Sequence, residues 1–183
     1  MKVVSVRTAL LLAITFTAGC GESPIPTSPT VSPFVTQFDG LWNGALTLSA
    51  SGVSGGECVG TDLQAAGPSI DVGTVSITQK ETDVSAVVRS ATTGLSCQYD
   101  GAAGLAKVAL NSQSCNAEIA FQCSNGNTRL LDPVGSTLTA TQNDGAINGV
   151  VASTFNVFSV DSQGQKKPVA GLTTRELFTA VRR

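Results

Sequence analysis

The residues that could do chemistry in this chain are five cysteines, scattered serines and 13 acids, and the usual partner of catalysis is missing. The 183 residues include five cysteines and no histidine. The chain therefore lacks both the commonest general base near neutral pH and the commonest metal ligand. Gly52-Val53-Ser54-Gly55-Gly56 matches the G-x-S-x-G pattern of hydrolase nucleophile elbows. That turn needs a strand before it, a helix after it and a histidine to activate the serine. Here a Gly- and Ser-rich stretch stands where the helix should begin, so the match is read as accidental. Zinc sites use closely spaced cysteine pairs, usually completed by histidine. Cys58, Cys97, Cys115 and Cys123 show no such spacing, so no metal is expected. The 13 acidic residues are scattered and mostly near turns, where solvation accounts for them. The expectation is a non-enzymatic protein with no catalytic residues and no cofactor.

Cys20 stands apart from the other four thiols. Met1 to Arg7 carries Lys2 and Arg7 and no acid, Thr8 to Ala18 is an apolar run, and Thr17-Ala18-Gly19 places small residues directly ahead of Cys20. A run of about 11 residues is too short to cross a ~30 Å hydrocarbon layer, and its flanks are those of an export signal. The sequence resembles the lipobox of bacterial lipoproteins, with Thr17 where leucine is usual. In that family the cysteine is acylated and, after cleavage, becomes the new N-terminus. The resemblance implies a signal peptide over 1–19 and lipid attachment at Cys20. Several acyl chains would hold the protein to the envelope membrane stably, where one chain binds only marginally. Gly21 in place of Asp favours the outer over the inner membrane by the same comparison.

Residues 20–37 read as a tether. Pro24, Pro26, Pro29 and Pro33 lie among Ser and Thr, and proline fixes φ and offers no N–H to a helix or central strand. Extended at ~3.1 Å per residue, the tether would reach about 50 Å, with packing on the domain expected mainly near Phe34 and Val35. The net charge is −2, and loss of Lys2 and Arg7 would leave 9 of the 11 basic residues against 13 acidic ones, or −4. Nucleic-acid binding normally needs a basic face, so no such partner is expected. Lys166-Lys167 and Arg182-Arg183 read as solvated ends.

From Phe38 to Arg183 the pattern has period two. Val75, Ile77 and Gln79 alternate with Thr74, Ser76 and Thr78; Val84, Ala86 and Val88 repeat the design, as do Ala117, Ile119 and Phe121. Such alternation marks strands buried on one face of an antiparallel sheet. Asp100-Gly101, Asn125-Gly126 and Asp144-Gly145 supply turn signals. Strands are predicted over 40–50, 73–80, 83–91, 94–101, 105–111, 115–123, 128–132, 135–142, 146–158 and 172–181, with no helix of three turns. Mostly hairpin-length connections predict an all-β, antiparallel meander, which removes its edges by closing into a small barrel. Thr78-Gln79, four residues, then Val84–Val88 is echoed by Thr141-Gln142, four residues, then Ile147–Val151, as if one hairpin were used twice. Ser51 to Ile70 lacks periodicity and reads as a long surface loop that Cys58 could pin, with a lid or partner contact as the alternative.

The first strand carries Gly40-Leu41-Trp42, which resembles the opening signature of lipocalins and related calycin barrels. The resemblance implies a lipocalin-like barrel in which Trp42 closes one end and an arginine of the last strand packs over its ring. Arg175 is the candidate, through a cation–π contact worth about 0.5–2 kcal/mol.

Four cysteines in an exported domain suggest two disulfides, with three possible connectivities. If 115–123 is one strand, Cys115 and Cys123 lie about 26 Å apart at ~3.3 Å per residue, beyond the ~7 Å a disulfide allows. The expected pairs are Cys97–Cys115, across a hairpin turning at Ala103-Gly104, and Cys58–Cys123. The strand geometry excludes Cys115–Cys123 more firmly than it separates the other two connectivities. The whole reads as a monomeric, non-catalytic binding domain for a small apolar ligand or a protein. The alternatives are a structural or interaction lipoprotein with a filled interior, and an exported protease inhibitor.

Overall fold

A computed structural model describes residues 35–183 apart from Ala117. The expected signal peptide, Cys20 and the tether as far as Phe34 lie outside the described residues. Val35 packs against the barrel core, and Thr36 hydrogen-bonds to the backbone of Gly104 and Leu105. The contacts of the β-domain therefore reach back past Phe38.

The alternation becomes nine antiparallel strands: β1 (Gly40–Gly55), β2 (Ser69–Lys80), β3 (Asp83–Ser90), β4 (Ser96–Ala103), β5 (Lys107–Cys115), β6 (Ile119–Gln122), β7 (Thr128–Asn143), β8 (Ala146–Val160) and β9 (Lys166–Arg182). Each strand from β1 to β4 pairs with the next. β5 then skips β6 and pairs with the second half of β7, Lys107 facing Thr141 and Asn111 facing Thr137. β7 pairs with β8, β8 with β9, and β9 with β1. The ring closes on eight strands, a size whose interior is either filled by side chains or holds one small ligand. β6 stands outside the ring, paired with the first half of β7 from Arg129 to Leu131 and at Thr128.

Pro133 marks where β7 changes partners. Proline cannot donate to a ladder and is confined to edges and bulges. Here it begins a bulge, with the register slipping between Pro133 and Gly135. The strands predicted at 128–132 and 135–142 are thus one strand with a bulge. The strand predicted at 115–123 divides instead, Cys115 ending β5 and Ile119 opening β6.

Two apolar clusters result. The lower one fills the barrel with Phe38, Trp42, Leu110, Leu138, Ile147 and Phe178, all almost fully buried. The upper one forms where β1, β7, β8 and β9 run on beyond the ring. There Val53, Leu131, Phe155, Val157 and Leu172 are covered by Val59 and Leu63 of a helix, α1 (Cys58–Ala66). The expected loop at 51–70 is therefore the end of β1, this helix and the start of β2. Gly55, Gly56 and Glu57 all take positive φ, a sharp turn that hides both periodicities, and nine residues are too few for a clear 3.6-residue pattern.

The hairpin echo is a real repeat of register. Gln79 faces Val84 and Ile77 faces Ala86 in β2–β3; Gln142 faces Ile147 and Ala140 faces Gly149 in β7–β8. Gly149 is small because a Cβ there would lie 2.0 Å from the Thr139 carbonyl oxygen. The two glutamines differ in use. Gln79 accepts from the Phe38 N–H and donates to the Thr36 and Glu81 carbonyls, whereas Gln142 Oε1 is buried without a partner.

Candidate functional site at the barrel mouth

One end of the barrel is shut. Trp42 is fully buried and its Nε1 donates to the Phe38 carbonyl at 2.9 Å. The guanidinium of Arg182 lies 5.5 Å from the indole centroid and donates to the Asp39 carbonyl at 2.7 Å. Gly40, at φ 130°, leaves room for it, since a Cβ there would lie 3.3 Å from the guanidinium nitrogens. The arginine expected over Trp42 was Arg175; the structure places Arg182 there. Along β9 the inward positions are Leu172, Thr174, Phe178 and Ala180, so Arg175 points outward and is exposed. β9 also runs on to Arg182, the residue paired with Trp42.

The other end holds a cavity of about 130 Å³. All eight ring strands contribute to it, so it is the barrel's own interior and not a surface dent. Its apolar wall includes Leu46, Val88, Val151 and Phe155, with Ile119 and Pro133 toward the upper cluster. The expected Cys97–Cys115 disulfide is present and forms part of the same wall. Cys58–Cys123, also as expected, ties α1 to the end of β6. Asp62 reinforces that tie, accepting from the N–H of Ser124 at 2.6 Å and from its hydroxyl at 2.7 Å. Those bonds, the backbone one foremost, hold the Asp62 carboxyl below its ordinary range. Arg129 pairs with Glu57 at the start of the helix.

Polar groups converge on the cavity. Tyr99 donates to Ser136 Oγ at 2.9 Å, and Ser153 Oγ lies 3.0 Å from the same oxygen. The bulge at Pro133 frees the Ser136 N–H, which donates to Ser112 Oγ at 2.7 Å. Glu176 and Asp71 line the cavity on the two neighbours of β1, opposite Leu48 and Leu46. Burial pushes the Glu176 carboxyl above the usual carboxylate range. A hydrogen bond from Thr174 opposes this, and the charge of Asp71 adds a smaller push in the same direction. Burial likewise raises the Tyr99 phenol, which is neutral through the physiological range.

Ser54 of the G-x-S-x-G segment is exposed in β1, just ahead of the Gly55–Glu57 turn that leads into α1. The expected Gly- and Ser-rich loop is thus followed by a helix after all, but the serine sits in the strand and not at the turn, and the sequence holds no histidine to activate it. Comparison with protein-family models, curated proteins and solved structures returned no match. What the chain does must therefore be argued from its own residues.

Proposed function

We propose that the protein is a bacterial envelope lipoprotein, anchored through Cys20, whose barrel is a non-catalytic binding domain taking a small ligand into its mouth. The observation that carries the binding reading is the cavity itself: eight strands converge on it at the end opposite Trp42, with an apolar wall and a few converging polar groups. Ligand sites have this composition. The packed lower barrel limits the ligand to something compact, since an apolar cavity of about 150 Å³ holds a benzene-sized molecule. It is also what favours a second reading, a structural lipoprotein that binds nothing.

Saturable shifts of the Val88 and Val151 methyl signals on titration with toluene would support binding. Substitution of Val151 by Phe, which fills the cavity, is expected to abolish them while leaving the far-ultraviolet spectrum unchanged. Absence of any saturable shift in the native protein would leave the structural reading. The anchor is tested separately. Cys20→Ala is expected to end incorporation of labelled fatty acid, and unchanged labelling would remove the lipoprotein assignment.

A further inference from the structure

Among the described residues, the titratable ones lining the mouth are Asp71, Tyr99 and Glu176, and none that line it is basic. Among the described residues, neither Asp71 nor Glu176 forms a salt bridge. Glu176 is largely buried and receives one long hydrogen bond, 3.4 Å from Thr174 Oγ1. Asp71, nearer the rim, accepts at 3.4 Å from the Thr92 N–H. A carboxyl facing inward between Thr174 and Phe178 is costly to bury without a cation, and the wall supplies none. Shape selects in the same direction: the apolar side accepts a ring or short chain, and the charged groups beside it among the described residues are acids.

We infer, resting on the reading of the mouth as a binding cavity, that its ligand is a small amine with an apolar body, the ammonium group held by Glu176 with Asp71 at the rim. Tyr99 and Ser136 bond to one another on the far wall and leave the cation to the carboxylates. A carboxylate ligand would meet two like charges, and a neutral ligand would leave Glu176 unpaired. The sign of the pH dependence follows. The ammonium needs Glu176 ionised, and burial raises that carboxyl. Affinity should therefore fall as pH drops through a range above that of an ordinary glutamate, while the Tyr99 phenol, raised by burial, stays neutral.

The test uses the full chain in detergent and three matched probes, benzylammonium, benzyl alcohol and toluene, read by the Val88 and Val151 methyl signals so that partition into micelles does not count. Benzylammonium is expected to bind at least about tenfold more tightly than benzyl alcohol at pH 7.5, the scale of one hydrogen bond to a charged group. Glu176→Gln should erase that preference and leave toluene binding intact. Loss of benzylammonium affinity toward pH 5, with benzyl alcohol unaffected, gives the same answer without a variant, as does a weakened preference in Asp71→Asn. Equal affinity for the amine and the alcohol in the native protein would overturn the amine assignment while toluene binding kept the cavity reading. No saturable shift with any of the three would overturn both.

Discussion

Replacing Cys58 and Cys123 together by serine is expected to lower the unfolding free energy by about 4 kcal/mol, against about 3 kcal/mol for the Cys97/Cys115 pair. A cross-link removes unfolded-state entropy in proportion to the logarithm of the loop it closes, and these bonds span 65 and 18 residues. The site of the damage should also differ. Cys58–Cys123 holds α1 over Val53, Phe155 and Leu172; the other polar ties there include the part-buried bond from Gln64 to the Val53 carbonyl and two nearer the surface, Asp62 to Ser124 and Glu57 to Arg129. Exposed ion pairs contribute roughly 0–1 kcal/mol. Hydrogen exchange should rise first in α1 and β6 while the ring strands stay protected, because local openings follow cooperative units. Denaturant titration and exchange mass spectrometry check both parts. A loss below about 1 kcal/mol, or exchange rising equally in β2 and β3, would show that the upper cluster is not an independent unit.

Trp42→Ala is expected to cost about 3–5 kcal/mol, the range for removing a buried aromatic side chain. The ring is the chain's only indole and is fully buried. Its removal would strip the floor of the lower cluster, leave the Phe38 carbonyl without its Nε1 donor, and take away the surface on which Arg182 rests. Arg182→Ala removes only the lid and should cost about 0.5–1 kcal/mol, as for exposed cation–π pairs. Arg175→Ala should stay within about 0.5 kcal/mol, as for surface positions. Thermal and urea unfolding of the three variants would order them. A cost for Arg175→Ala equal to that of Arg182→Ala would contradict the closed end as described.

Much of this fold was legible because most connections are short and strand phase is strict. Val75 and Ile77, Val84 and Ala86, and Ile147 and Val151 all point inward as their alternation required. The disulfides followed from strand length and one hairpin, even though Cys115–Cys123 is broken by a gap between β5 and β6 and not by one straight strand. Other features were obscured for identifiable reasons. Proline at 133 read as a break, because a bulge inside a long strand has no sequence mark distinct from a turn. The helix at 58–66 was hidden by the glycines ahead of it and by its shortness. Arg175 was preferred over Arg182 because the end of β9 depends on pairing with β1, which sequence does not display. Glu176 and Asp71 left a signal that went unused: each is an acid on the inward phase of its strand, Glu176 between Thr174 and Phe178, and Asp71 in step with Val75 and Ile77.

The seam between β1 and β9 sets the order in which the barrel can form. Arg182 bonds to Asp39 across 143 residues of sequence, whereas β2 to β5 are joined by successive hairpins, as are β7 to β9. Contacts between distant residues carry a larger loop-closure cost and form more slowly than local ones. Two ribbons of strands can therefore assemble early, but the ring has no closed end until the last residues are available. A chain emerging from its N-terminus must keep Trp42 waiting, unburied, until the final strand arrives. Until then the ladder edge of β1 that will receive β9 is open to any other strand, so the seventeen residues of β9 act as the chain's own protection against pairing with a neighbour.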